Sequence, residues 1–265
     1  MILNTKNVCL SYGKNEIVKD LNINIKKGEV VTIIGPNGCG KSTILKSLSR
    51  YLKPTKGRIY LDGEDIHKLD TKKIAKKMAI LPQVRNIPED FTVETLVSYG
   101  RFPHLNFGQR FKNKDYEIIE WALEKTRMEK FRNRNLNALS GGERQRAWIA
   151  MALAQKPEIL LLDEPTTFLD ISYQLEVLEL VKELNETLGL TIIMVLHDLN
   201  QAARYSHKIF AIKAGRVFSC GKPHDLISQK FLREVFRIDA DIFEDSSNKC
   251  PYFIPRKVTA LKGED

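Results

Sequence analysis

Gly35-Pro36-Asn37-Gly38-Cys39-Gly40-Lys41-Ser42 is the stretch whose reading decides the fold. It follows the apolar run Val30-Val31-Thr32-Ile33-Ile34 and precedes Thr43-Ile44-Leu45-Lys46-Ser47-Leu48, so a strand, a glycine-rich loop and a helix are predicted in succession. In that setting G-x-x-x-x-G-K-[ST] reads as a phosphate site rather than an ordinary strand-to-helix turn. The glycines let the backbone curl so that successive N–H groups face phosphate oxygens. The helix that follows aims its positive end at the same place. Lys41 offers a point charge to the terminal phosphates, and the Ser42 hydroxyl is a hard oxygen ligand for Mg²⁺. The loop is read as binding a nucleoside triphosphate.

With 265 residues, 43% of them hydrophobic, the chain can bury one large core and an attached subdomain. The start Met1-Ile2-Leu3-Asn4-Thr5-Lys6 predicts no signal peptide. No apolar run approaches the roughly 18 residues of a membrane span, so a soluble chain is expected. Cys9, Cys39, Cys220 and Cys250 have no metal-binding spacing and are expected to be reduced thiols of a cytosolic protein. The net charge of +9 is compatible with nucleic acid, an anionic membrane surface or a phosphorylated ligand. It is spread along the chain and chooses among them poorly.

Strands are predicted at Val8–Tyr12, across the alternating Leu21-Asn22-Ile23-Asn24-Ile25, at Arg58–Leu61 and at Met78–Leu81. Tyr12 is placed either to stack on a base or to pack at a strand end. Asp70 can cap a short helix carrying Lys72, Lys73, Lys76 and Lys77. That charge run reads as a solvated face, with phospholipid or nucleic acid as the alternative. Helical patterns cover Phe91 to Gly100, Lys114 to Thr126 and Gly142 to Gln155, a helical insertion between strands of the main sheet. Ile159–Leu162 is an apolar strand ending at Asp163-Glu164, and residues 171 to 188 form a helix stopped by Gly189. Thr191–Leu196 is a buried strand with His197 at its end, and Asp198 caps the next helix. A hairpin turns at Ala214-Gly215. The end of the chain is expected to hold one helix, Asp225 to Phe236, and an irregular tail.

Leu139-Ser140-Gly141-Gly142-Glu143 is the second informative stretch. Ser140 is a natural N-cap, and the two glycines open a long helix start to close approach, a second place for an anion. Taken together the chain resembles the nucleotide-binding subunit of an ATP-binding-cassette (ABC) transporter. The match covers nearly its full length and rests on Tyr12, residues 35 to 42, Gln83, Leu139–Glu143, Leu161-Leu162-Asp163-Glu164, Leu169-Asp170 and His197. The resemblance implies an α/β fold, with a P-loop NTPase core sheet, an N-terminal antiparallel β subdomain and an inserted α-helical signature subdomain. The implied boundaries are 1–83 and 156–240 for the RecA-like core with its β subdomain, 84–155 for the helical subdomain and 241–265 for the tail. ATP would be bound by Tyr12, Gly35, Pro36, Asn37, Gly38, Cys39, Gly40, Lys41, Ser42 and Thr43, with Ser140, Gly141, Gly142 and Asp170 completing the site. Ser42, Gln83 and Asp163 would hold Mg²⁺, Glu164 would activate the attacking water, and His197 and Gln83 would assist it.

The resemblance also implies two composite ATP sites in a head-to-tail homodimer, closed by ATP and opened by hydrolysis. Gly35–Gly40, Tyr99-Gly100-Arg101-Phe102-Pro103-His104, Glu164–Ser172 and His197–Tyr205 resemble importers of ferric siderophores, with haem and cobalamin importers as near neighbours. Such an ATPase works at the cytoplasmic face of the membrane on a polytopic permease, supplied by an extracytoplasmic substrate-binding protein; no nucleic acid partner is expected. The permease's cytoplasmic helix would dock near residues 84 to 110, where Phe91, Tyr99, Phe102 and Phe107 are either docking contacts or core. Phe168 departs from the family's small residue, adding bulk where two subunits should meet. Two other classes compete. A soluble non-transport ABC ATPase usually carries two cassettes or a long coiled-coil insertion, and neither is present. A GTP-driven switch needs an N-K-x-D pattern, which Asn113-Lys114-Asp115-Tyr116 does not supply.

Overall fold

The computed structural model describes residues 1–83, 90–106 and 108–259. The chain divides into two compact units, Met1–His67 with Ile193–Asp265, and Lys68–Ile192.

The first unit opens with β1 (Leu3–Tyr12), β2 (Asn15–Leu21), β3 (Asn24–Ile25), β4 (Val30–Ile34), α1 (Lys41–Leu48), β5 (Lys56–Leu61) and β6 (Glu64–Asp65). β1 pairs antiparallel with β2, β3 and β5, and β5 with β6. The register of β1 shifts around Asn7, whose φ of 48° marks a bulge. Leu3 and Thr5 are buried before it, Val8 and Leu10 after it, so one long strand serves two partners. The sequence predicts a single strand over residues 21–25, but β2 ends at Leu21 and β3 restarts at Asn24. Side chains take over the ladder there: Thr5 Oγ1 donates to Leu21 O at 2.8 Å and accepts from Ile23 N at 3.0 Å, while Asn22 Oδ1 accepts from Asn7 N at 2.9 Å. All five residues of β4 are buried, as a strand covered on both faces requires.

The second unit contains α2 (Thr71–Lys77), β7 (Met78–Leu81), α3 (Val93–Tyr99), α4 (Asn113–Lys125), α5 (Gly141–Ala154), β8 (Ile159–Asp163) and α6 (Ile171–Leu188). Asp70, Thr92 and Ser140 cap α2, α3 and α5 with their side-chain oxygens. β7 and β8 run parallel. Between them the described residues hold helices packed on α5 and a lone Thr92–Asn135 bridge, the helical insertion expected from the sequence.

β9 (Thr191–Val195) carries the chain back into the first unit, followed by α7 (Leu199–Tyr205), β10 (Lys208–Lys213) and β11 (Arg216–Gly221). β10 lies parallel to β4 and antiparallel to β11. The end of the chain differs from expectation. The helix expected over Asp225–Phe236 is broken into short turns at 223–226, 229–231 and 232–236, because Ser228 leaves the helix and caps a new start through Phe231 N. The tail is not irregular: β12 (Ile238–Asp245) and β13 (Cys250–Val258) form an antiparallel hairpin. Pro251 and Pro255 hid β13 in the sequence, yet a strand with a free edge tolerates proline. A bare hairpin is marginal in water. Asn200 of α7 holds this one, donating to Phe253 O at 3.1 Å and accepting from Phe253 N at 3.0 Å.

Candidate functional site

The first unit carries the phosphate loop. Gly40, the N-cap of α1, has φ of 103°, and a Cβ there would stand 2.8 Å from Val18 Cγ2, so only glycine fits. Lys41 is 6% exposed, and its Nζ donates to Gly35 O at 2.9 Å and Pro36 O at 3.1 Å. A buried ammonium held by loop carbonyls can exchange them for phosphate oxygens, with Ser42 and Thr43 next to it at the start of α1. The loop therefore fits a triphosphate. Burial pushes the Cys39 thiol up, against the opposing pull of the Lys41 ammonium, so this cysteine stays a neutral packing residue. Tyr12 is half exposed at the end of β1, and His197 follows β9 just ahead of Asp198, which caps α7 through Gln201 N at 2.9 Å.

The second unit carries the carboxylates. The parallel register pairs Met78 with Ile159 and Leu81 with Leu162, an offset that continues past both strand ends to Gln83 and Glu164. Gln83 Nε2 donates to Glu164 Oε2 at 2.5 Å, and Thr167 Oγ1 donates to the same oxygen at 3.1 Å. Glu164 sits in left-handed backbone with φ of 52°. Such a conformation in a non-glycine residue is sparsely populated and is kept where the surroundings impose it. Asp163, the last residue of β8, is 5% exposed. Asp170 caps α6 without a side-chain hydrogen bond to the helix. Phe168 is 98% exposed with φ of 63°, its ring held out in solvent.

At the start of α5, Ser140 Oγ accepts from Glu143 N at 3.3 Å and Glu143 Oε2 accepts from Ser140 N at 2.8 Å, a reciprocal capping box. The Ser140 backbone N–H, aided by the Ser140 side chain, holds the Glu143 carboxyl below the usual carboxylate range. A Cβ on Gly142 would lie 2.3 Å from the Tyr173 ring, and one on Gly141 2.9 Å from Leu169 Cδ2. The two glycines thus bring α5 down onto the start of α6 beside Asp170.

Sequence reasoning missed Thr167, Tyr173 and the pairing partner in Glu143. The capping box was legible as S-x-x-E; the other two act through contacts that spacing does not reveal. It also missed the ion pair between Arg101 Nε and Asp115 Oδ1 at 3.0 Å, which is buried in this unit. Arg101 Nη1 also donates to Ala154 O at 2.6 Å, and His104 Nε2 lies 2.8 Å from Gln155 O, so side chains occupy the carbonyl end of α5. Tyr99 makes ring contacts with both Phe91 and Phe102, while Tyr99 and Phe102 remain partly exposed; Phe107 and residues 84–89 lie outside the described residues.

The ABC transporter family profile matches residues 18–167. Among curated relatives, the iron(3+)-hydroxamate import ATP-binding protein FhuC of Bacillus subtilis is 53% identical over 249 residues, 94% of this chain and 93% of that protein. The petrobactin import ATP-binding protein FpuD of Bacillus anthracis is 51% identical, covering 96% of this chain and 93% of the relative. The ferric enterobactin transport ATP-binding protein FepC of Escherichia coli is 41% identical, covering 97% and 95%. Among solved structures, a metal-chelate type ABC transporter in an inward-facing conformation superposes with a TM-score of 0.84 at 27% identity, covering 97% of each chain. A dimeric ATP-binding cassette in a post-hydrolysis state with ADP and Pi gives 0.72 at 34% identity, covering 83% of this chain and 98% of that one. A phosphate loop ahead of a helix, with paired carboxylate and amide at neighbouring strand ends, defines an ATP-hydrolysing cassette. The chain belongs to the ABC transporter family.

Proposed function

We propose that this chain is the ATPase subunit of a ferric siderophore importer. It would work as a head-to-tail homodimer docked on a membrane permease at the cytoplasmic face, with an extracytoplasmic binding protein delivering the cargo. The hydroxamate, petrobactin and enterobactin specialisations of its relatives support iron chelates as cargo over haem or cobalamin. Among the described residues no helix is long and apolar enough to cross a membrane, in keeping with a subunit that leaves passage to a partner.

The observation that carries the catalytic reading is Glu164, held by Gln83 and Thr167 just beyond β8. In the proposed reaction Lys41 gives up the Gly35 and Pro36 carbonyls for the β- and γ-phosphate oxygens of ATP. Glu164 takes a proton from a water whose oxygen bonds to the γ-phosphorus, and the bond from that phosphorus to the bridging oxygen breaks, leaving ADP and Pi. His197 hydrogen-bonds the γ-phosphate, and Tyr12 stacks on the base. Ser42, Asp163 and Gln83 offer the hydroxyl, carboxylate and amide oxygens that suit Mg²⁺, which supplies charge neutralisation at the phosphates when bound. Ser140, Gly141 and Gly142 of one subunit, with Asp170 nearby, would meet the γ-phosphate held by the other. ATP favours the closed dimer through those added contacts, and hydrolysis removes them. Phe168 would stand at the seam.

Reconstitution with its permease and binding protein tests this. Iron-loaded siderophore should raise ATP hydrolysis several-fold, and Glu164→Gln should abolish the rise while trapping an ATP-bound dimer. Stimulation by haem or cobalamin alone would overturn the iron reading.

A further inference from the structure

The lysines of α2 have no task in ATP hydrolysis. Asp70 caps the helix through Lys72 N and Lys73 N, and Ile74 faces the core. Lys73 and Lys76, three residues apart, therefore share the outer face, and both are exposed. Among the described residues neither forms an ion pair, and the Asp70 carboxylate accepts from the backbone N–H groups of Lys72 and Lys73. Lys77 reaches Glu158 at 4.0 Å. Lys72 Nζ ties α2 to the neighbouring loop, donating to Asn106 Oδ1 at 2.9 Å and to Leu105 O at 2.6 Å. In sequence, Arg110 and Lys112 lead into Lys114 at the start of α4, with no carboxylate between Asn106 and Lys114.

Aromatic rings continue from the turn at residues 102–104, which α2 contacts. Tyr99 packs on Phe102 with centroids 4.5 Å apart, Phe102 stacks on Phe111 at 6.3 Å, and Phe111 meets Tyr116 edge-on at 6.0 Å. Tyr99, Phe102 and Tyr116 are each 40 to 54% exposed, apolar bodies with their outer edges in water. The first carboxylate after Asn106 in sequence, Asp115, is buried against Arg101, and the next, Glu117, is exposed.

We propose that this face of the second unit, Lys73 and Lys76 with Phe102 and the basic run Arg110, Lys112 and Lys114, rests on an anionic phospholipid surface. Charge complementarity selects the occupant. Unpaired lysines are hydrated point charges without a fixed geometry, suited to a diffuse negative field, whereas a defined carboxylate partner favours the arginine fork. Half-exposed aromatic rings beside lysines are the side chains that settle at a bilayer interface. The proposal does not depend on the iron reading, because any membrane-docked ATPase could use it.

Co-sedimentation of the full chain with vesicles of phosphatidylglycerol and phosphatidylcholine, against phosphatidylcholine alone, tests it. Binding should require phosphatidylglycerol and weaken steeply between about 0.05 and 0.5 M salt. The double variant Lys73→Glu/Lys76→Glu should lose at least about thirtyfold in affinity, on the scale of each near-surface lysine. Phe102→Ser should lose less. An equal charge change at exposed Lys182 and Lys230 should shift binding by no more than about twofold and controls for the net charge of +9. ATP turnover of the Lys73/Lys76 variant should match wild type, which separates a failed patch from a failed ATPase reading. Failure to bind phosphatidylglycerol, equal losses at Lys182/Lys230, or sensitivity to Lys73/Lys76 seen only with an acidic protein partner would each overturn it.

Discussion

Gln83 and Glu164 stand side by side beyond two parallel strands, the amide of one donating at 2.5 Å to the carboxylate of the other. The strand register makes them neighbours, so the geometry of the Glu164 carboxylate, the proposed base, is set by backbone pairing as well as by its own turn. Gln83→Ala should lower kcat for ATP by about 10- to 100-fold, the worth of one hydrogen bond to a charged group, and leave KM within about threefold. Steady-state kinetics at saturating Mg²⁺ check this; an equal rise in KM would show that Gln83 serves binding instead.

Gly142 is required by contact. An added methyl gains up to about 1 kcal/mol in helix propensity, but forcing it into the Tyr173 ring costs about 1–3 kcal/mol. Gly142→Ala should therefore be destabilising in urea unfolding, and Tyr173→Ala in the same chain should restore at least half of the loss. Additive losses would mean that the 2.3 Å approach is not the cause.

Glu143 links the signature turn to pH. Its folded carboxyl lies below its unfolded value of about 4.3, so its contribution is present above that pH and is lost as pH falls through the folded value. Wild type should exceed Glu143→Gln in Tm by a constant margin from pH 6 to 8, and the margin should close toward pH 3. Thermal melts across that range decide it.

The buried Arg101–Asp115 pair makes a fourth test. Burial alone would raise the Asp115 carboxyl, but the Lys112 N–H and the Arg101 guanidinium hold it below the usual range. Asp115→Asn leaves a buried guanidinium short of its counter-ion and should cost about 3–5 kcal/mol, while Arg101→Met with Asp115→Leu should cost less. Denaturant titration of the three proteins checks the order.

Much of this was legible in residue order, because phosphate and carboxylate chemistry depends on local turns. The phosphate loop, the caps at Asp70, Ser140 and Asp198, and the helix ended by Gly189 are short-range devices that a sequence displays. What escaped reading is long-range. Asn22 and Thr5 interrupt a well-patterned strand by side-chain bonds across fifteen or more residues. The β12–β13 hairpin was concealed by two prolines, and its anchor, Asn200, lies 53 residues from Phe253. Thr167 and Tyr173 matter only through what stands opposite them in space.

Both extremities of α5 are stoppered by side chains: Ser140 and Glu143 at its start, Arg101 and His104 at its finish. Its 14 residues make a strut about 21 Å long. Helices normally absorb a shove by unravelling a terminal turn, and neither terminus of this one is loose. Pressure on the loop holding Phe102 should thus be delivered whole to Gly141 and Gly142, making the helix a pushrod instead of a spring.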